Sequence, residues 1–518
     1  GDITFTGAMS YNQAHSLTLL AQRNLNFTTG SIQNSGAGSI SLVAGWDGGS
    51  QTSPAVTAGT GSISLSSGTS VSTNGAIDIK TGNNLSLNAA SISSGGSMTA
   101  SAGGAVNVTN GSMLYAGTSG GTATQKVSAV GDITVSAGSG GITAIKNGGT
   151  GLQQVISSAG GIAVTGGSVS TGVAKIETAG SQYVKAKTNV TVTAGSGPGA
   201  YAGIWAGTGQ TIQAINLSLL GNAANGAYLN GGSTGTQLLA LSGGLTMTRG
   251  YVSGSSVVIA AASLDMDNGS NIAANNGTFG AIVGGDVSLK NGSSISALKD
   301  VVMQVGGNMT LSGSSYVAAN YGYDVYLGFT GANSTLSLSS GSYVVAGLLS
   351  TIYLEFTSRT SGGVYIDGVA TTVNSASGAG FYSIDTRMPA VLGNGLEILY
   401  ATPPTPPPPP PPPPPTPPTP PTPPTPTPTP TTGGIVTETD TPAVVDHGTT
   451  ADVIKSVNDL TRPQWLPATI PTDLLPAASG DSDRQSTGGR EGEFGNSSEG
   501  TGDGKKGAGK RPMGRCDA

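Results

Sequence analysis

Charge is scarce in this chain: only 9% of its 518 residues are Asp, Glu, Lys or Arg, against roughly 25% in an ordinary soluble domain. The net charge is −6, and no run of Lys or Arg is interleaved with aromatics. The electrostatic footprint of a nucleic-acid binder is therefore missing, and nucleic acid is not an expected partner. A single cysteine, Cys516, rules out a disulfide within the chain and any Cys/His zinc spacing. No apolar stretch reaches the ~18 residues of a membrane helix, so no transmembrane segment is expected. Neither Met nor a signal peptide stands at the start; Gly1 opens inside a repeat unit, and the chain reads as a piece of a longer protein. Proline is almost absent from the first 400 residues, with Pro54, Pro198 and Pro389 alone, whereas 27 of the 30 prolines follow Ala401.

What fills the first 400 residues is glycine, 84 in the whole chain, together with Ser, Thr, Asn and Ala. These are the residues of tight corners, where Gly and Asn accept left-handed backbone. Between the corners a short pattern recurs, as in GSISLVAG, GSISLSSG, GAIDIKTG and GDITVSAG. It alternates apolar and small polar residues with period two, which is a strand with one buried face. Its first apolar residues are Leu17, Ile40, Ile63, Leu85, Val106, Ile133, Ile162, Val190, Leu217, Leu245, Leu264, Val287, Met309 and Leu336, spaced 19 to 29 residues apart. That period is too short for strand, helix and loops, but it fits one coil of two or three short strands. No single coil buries its apolar face alone, so coils must stack, at about 4.8 Å per rung. The expected fold is all-β, a right-handed parallel β-helix or solenoid, followed by a proline-rich linker and a mostly disordered tail.

The expected boundaries are repeats over 1–350, a C-terminal cap over 351–400, a Pro/Thr spacer over 401–432, a tail with one short helix over 433–480, and a disordered tail over 481–518. The spacer is polyproline II at roughly 3.1 Å per residue. In the tail, TTADVIKSVNDL places Val453, Ile454, Val457 and Leu460 on one helical face with Thr450 as its cap.

The units GDITFTG, NLNFTTG, GSISLVAGWDG and GDITVSAG resemble the repeats of filamentous haemagglutinin-like exoproteins, the passengers of two-partner secretion, over residues 1 to about 345. The resemblance implies a C-terminal fragment of an adhesin exported through an outer-membrane pore partner of the two-partner type. It implies a right-handed β-helix at the surface of, or secreted from, a Gram-negative bacterium, attaching to host-cell or surface glycans and proteins.

Parallel β-helices also carry polysaccharide-degrading enzymes, whose chemistry needs clustered carboxylates. The best candidates are Asp265 and Asp267 in SLDMDNGS, on the same outward face by the period of two. The neighbouring rungs carry Thr246 and Ser288 at the aligned position, so no third carboxylate joins them. His15 is the only histidine before the spacer, and no GxSxG motif accompanies it. No catalytic, cofactor-binding or metal residue is therefore expected, and no enzyme activity. Twelve Asn-x-Ser/Thr sequons, among them Asn84, Asn107, Asn110, Asn189, Asn216, Asn268, Asn291 and Asn308, are read mainly as a product of composition. Alternative readings are a β-helical polysaccharide-degrading enzyme and an autotransporter passenger with a structural role.

Overall fold

The computed structural model describes residues 1–346 except 321 and 340, together with the strands Ile352–Phe356, Gly363–Ile366, Val369–Thr371, Tyr382–Asp385 and Leu396–Tyr400. The chain divides into Gly1–Pro418, which holds every strand, and Thr419–Ala518, which lies outside the described residues. The Pro/Thr spacer, the tail helix with Thr450, and Cys516 all fall outside them as well.

Among the described residues all regular structure is β. Three sheets of 16, 15 and 15 strands run the length of the rod, and each strand up to Thr335–Leu338 pairs with the one three places later in the chain. One coil is thus a strand of the third sheet, then of the first, then of the second, as in Ile77–Thr81, Leu85–Asn88 and Ser91–Ser94. Pairing is parallel from Ile3 through Ile366. Beyond that, Val369–Thr371 and Tyr382–Asp385 pair antiparallel with the strands beneath them.

The core follows from the period of two. In strand after strand the burial alternates, as in Ile63–Leu65 and Val106–Thr109, and the inward residues stack rung upon rung. Ile63, Leu85, Val106, Ile133 and onward to Leu336 are register partners in the first sheet. Each such side chain loses its apolar surface to the rungs above and below, which stabilises by about 1.5–3 kcal/mol per Leu, Ile or Val.

Leu17 and Ile40 require a correction. They pair with each other and with Ile77 in the third sheet, while the first-sheet partner of Ile63 is Leu25. Residues 45–62 form an insertion between Ile40–Ala44 and Ile63–Leu65, so the distance from Ile40 to Ile63 imitates a coil although it crosses from one sheet to another. All three strands of a coil share the same apolar, polar, apolar pattern, which is why spacing alone could not separate them.

The corners explain the sequons. Before the first sheet, an Asx side chain accepts a hydrogen bond from backbone N–H of the next rung: Ala105 to Asn84 Oδ1 at 2.8 Å, Gly244 to Asn216 Oδ1 at 2.9 Å, Thr335 to Asn308 Oδ1 at 3.1 Å. Asp132 and Asp286 do the same with Gly161 and Asn308, and Asn189 Oδ1 accepts from Asn216 Nδ2. A corner Asn, an inward apolar residue and an outward Ser or Thr spell Asn-x-Ser/Thr.

Between the first and second sheets, Asn110, Asn268 and Asn291 take positive φ of 56°, 55° and 51° before a glycine. The serines that follow, Ser112, Ser270 and Ser293, are buried. Each donates to the carbonyl three residues back, at 2.5, 2.7 and 2.6 Å. Asn107 is an outward residue of Val106–Thr109. Seven of these eight sequons, all but that of Asn107, follow from corner geometry.

Candidate functional site

Four consecutive coils differ from the rest. Their turns between the first and second sheets are long, at residues 137–142, 166–173, 194–201 and 221–226, whereas the other turns at this corner between Ile3 and Ala319 hold at most four residues, as at 66–69 and 312–315. The long turns lie on successive rungs, so they stack into one ledge: Thr171 N–H donates to Pro198 O, Gly197 N–H to Gly167 O, and Asn225 Nδ2 to Gly195 O and Gly197 O. Ile142 and Val169 protrude from it, 49% and 40% exposed.

These four coils and the one that follows carry an interior anomaly. At the first inward position of the third sheet, where other rungs place Ile40, Ile77, Val257 or Val301, five successive rungs carry glutamine: Gln125, Gln153, Gln182, Gln210 and Gln237. All are buried. Gln153 Nε2 donates to Gln125 Oε1 at 2.6 Å, Gln182 Nε2 to Gln153 Oε1 at 2.5 Å and Gln210 Nε2 to Gln182 Oε1 at 2.5 Å. The ladder is tied to the neighbouring strand, since Gln125 Nε2 reaches Leu114 O, and Gln153 Nε2 lies 3.2 Å from Ile145 O and 3.0 Å from Glu177 O. At its far end Gln210 Oε1 and the Gln237 amide have no protein partner. An unsatisfied buried amide costs about 1–3 kcal/mol.

Outside, the second sheet on these rungs carries charge and aromatic rings. Lys146, Glu177 and Trp205 align in one outward column, and Lys175, Gly203, Tyr228 and Tyr251 in the other. Lys146 Nζ lies 2.5 Å from Glu177 Oε1, and Lys175 Nζ bonds Glu177 Oε2. Burial alone would raise the Glu177 carboxyl, but its hydrogen bonds and charge interactions with the two lysines outweigh that and hold it below the usual range. Two ammonium groups thus share one carboxylate.

Beside them, Trp205 stacks on Tyr228 at 6.4 Å and Tyr228 on Tyr251 at 5.1 Å, while Tyr201, at the end of the 194–201 turn, packs edge-on to Trp205 and Tyr228. Gly203 is a spatial requirement here, because a Cβ at that position would lie 2.3 Å from the Trp205 ring. Burial raises the Tyr228 phenol above its ordinary value, so its O–H remains a neutral donor across physiological pH.

The carboxylates singled out in the sequence each have side-chain partners. Asp265 stands between Thr246 and Ser288 in register and pairs with Lys290 at 3.0 Å. Asp267 Oδ1 accepts from Asn268 N–H and from Asn291 Nδ2, both at 2.7 Å. His15 is exposed in the turn before Leu17–Ala21. Among the described residues no group of three His, Cys, Asp or Glu side chains gathers as a metal site, and no helix is long and apolar enough to cross a membrane.

The fold and this face together define a parallel β-helical rod with one laterally displayed ledge. Comparisons with family models, with curated proteins and with solved structures find no match.

Proposed function

We propose that this chain is an attachment element, a surface-exposed or secreted adhesin segment in which the stacked coils hold a binding face at a fixed place along a stiff rod. The observation that carries this reading is the coincidence, on the same coils, of the long turns, the lysine-flanked aromatic face and the interior glutamine ladder. Variation is concentrated where it makes a surface. On the second-sheet face Lys146 and Lys175 are both held against Glu177, which favours binding over turnover of a substrate.

Export through an outer-membrane pore of the two-partner type, exposure on a Gram-negative cell, and contact with glycans or host proteins are parts of the same proposal; they rest on the likeness of the repeat units to filamentous haemagglutinin-like exoproteins. The test is to titrate the 518-residue chain, free and coupled to beads, against epithelial cells, matrix proteins and glycans while assaying the same mixtures for new reducing ends. Saturable attachment without cleavage supports the proposal. Cleavage of a glycan, abolished by Asp265→Ala, would overturn it.

A further inference from the structure

We propose that the outer face of the second sheet from Lys146 to Tyr251 binds a carboxylate-bearing, pyranose-based glycan. This deepens the attachment reading, on which it rests, by naming the ligand class and the residues.

Four observations converge. First, Tyr201 and Tyr251, 36% and 38% exposed, are the aromatic members of the exposed large hydrophobics among the described residues; Tyr251 lies on this face and Tyr201 borders it from the 194–201 turn. Second, both rings are already held against Tyr228, Tyr201 edge-on and Tyr251 stacked, so a sugar's apolar C–H face would meet an immobile partner and little side-chain entropy would be lost on binding. Tyr251 ends the stack, and its register partner on the next rung is the small polar Asn271, which leaves the outer ring beside an amide able to bond hydroxyls.

Third, Lys146 and Lys175 share the single carboxylate of Glu177, so the face carries one uncompensated positive charge. Lys175 is the register partner of Gly203, over which the Trp205 ring lies. A ligand carboxylate on these ammonium groups would gain charge-assisted hydrogen bonds while its ring lies against the aromatics. Fourth, three rungs separate Lys175 from Tyr251, about 14 Å at the usual strand spacing, which suits a short oligosaccharide bordered by the ledge of long turns. A peptide is disfavoured, because rings 5.1 Å apart leave no slot between them for a side chain.

The test measures binding of the 518-residue chain to sialyllactose and to tetragalacturonate, with lactose as the neutral comparator, by calorimetry at about 0.15 M salt, where charge is moderately screened. Either acidic sugar should bind at least tenfold more tightly than lactose, and the better of the two identifies the acid. Tyr251→Ala and Lys175→Met should each weaken that binding at least tenfold. Tyr201→Ala, in a turn outside the sheet, should weaken it without lowering the unfolding midpoint. Tyr316→Ala, in the separate Tyr316–Tyr343 stack, should leave it unchanged. Equal binding of lactose, indifference to the first three substitutions, or an equal loss with Tyr316→Ala overturns the assignment. If neither acidic sugar binds while coated beads still attach to cells, this proposal fails and the attachment reading stands; if the beads do not attach, the attachment reading fails first.

Discussion

The coils around residues 257–346 and those around 125–254 share one backbone plan yet differ inside and out. In the first group the interior is aliphatic and aromatic, with Val257, Phe279, Val301 and Val325 stacked in the third sheet, and the turns are tight, such as Asn268–Gly269 and Asn291–Gly292. In the second, glutamines replace that column and the turns lengthen to 166–173 and 194–201. A solenoid tolerates a long turn because each coil needs only its strands in register. The added loop costs little entropy, since closure grows only with the logarithm of length. What a long turn loosens is the corner, and a hydrogen-bonded column beneath it, tied to Ile145 O and Glu177 O, restores a directional constraint that aliphatic packing lacks.

That comparison can be broken most forcefully in the core. Leu217→Ala in the middle coils and Ile295→Ala in the outer ones remove fully buried side chains and should each lower stability by about 2–5 kcal/mol in denaturant titrations; a much smaller loss at Leu217 would mean that the middle coils are loosely packed. Gln182→Leu should come next. It orphans Gln153 Oε1 and Gln210 Nε2, at about 1–3 kcal/mol for each group, and hydrogen exchange should rise first in strands Thr143–Asn147 and Ala174–Thr178. If stability is unchanged, the ladder constrains nothing. Gln237→Leu, by contrast, removes an amide without protein partners and should be neutral or stabilising by about 1 kcal/mol. A loss there would show that the ladder continues through water.

A corner substitution is smaller. Asn308→Ala deletes the acceptor for Thr335 N–H and its hydroxyl and should cost about 1 kcal/mol, measured as a shift of the unfolding midpoint.

The smallest expected effect distinguishes the regions by pH. Glu177 has a folded pKa below its ordinary 4.5, so its stabilisation is complete above that value and is lost as pH falls through the folded pKa. Asp300, in the outer coils, has its pKa raised above 3.8 by burial, with the Asp324 carboxylate adding to it, so it opposes folding increasingly as pH rises from 3.8 through the folded value. Glu177→Gln should flatten the acid loss and Asp300→Asn the opposite slope; identical pH profiles for the two variants would contradict both assignments.

Much of the rod was legible in advance. From Ile63 to Leu336 the repeated apolar positions are register partners on one sheet, because alternation fixes which side chains face inward and stacked coils bring like positions into line. Glutamines recurring at Gln125, Gln153, Gln182, Gln210 and Gln237, each followed two residues later by Val, Ile or Leu, were a readable signal of the interior ladder that hydropathy alone conceals, whereas repeat length did not mark the ledge, since Val106 to Ile133 and Met309 to Leu336 are about as long without it. The binding face was not legible. Tyr201, Trp205, Tyr228 and Tyr251 are scattered over 51 positions of sequence, and only cross-rung register makes them neighbours.

By itself, the sequence determined the class of fold, its period, which residues face inward and where the composition changes, since each of these depends on local alternation and corner chemistry. The tertiary structure decided which sheet each strand joins, that most of these sequons follow from corner geometry, that Asp265 is spoken for by Lys290, and that lysines, rings and long turns share one face. Those depend on register between coils 20 to 40 residues apart, and a single strand carries no record of the partner it will stack upon.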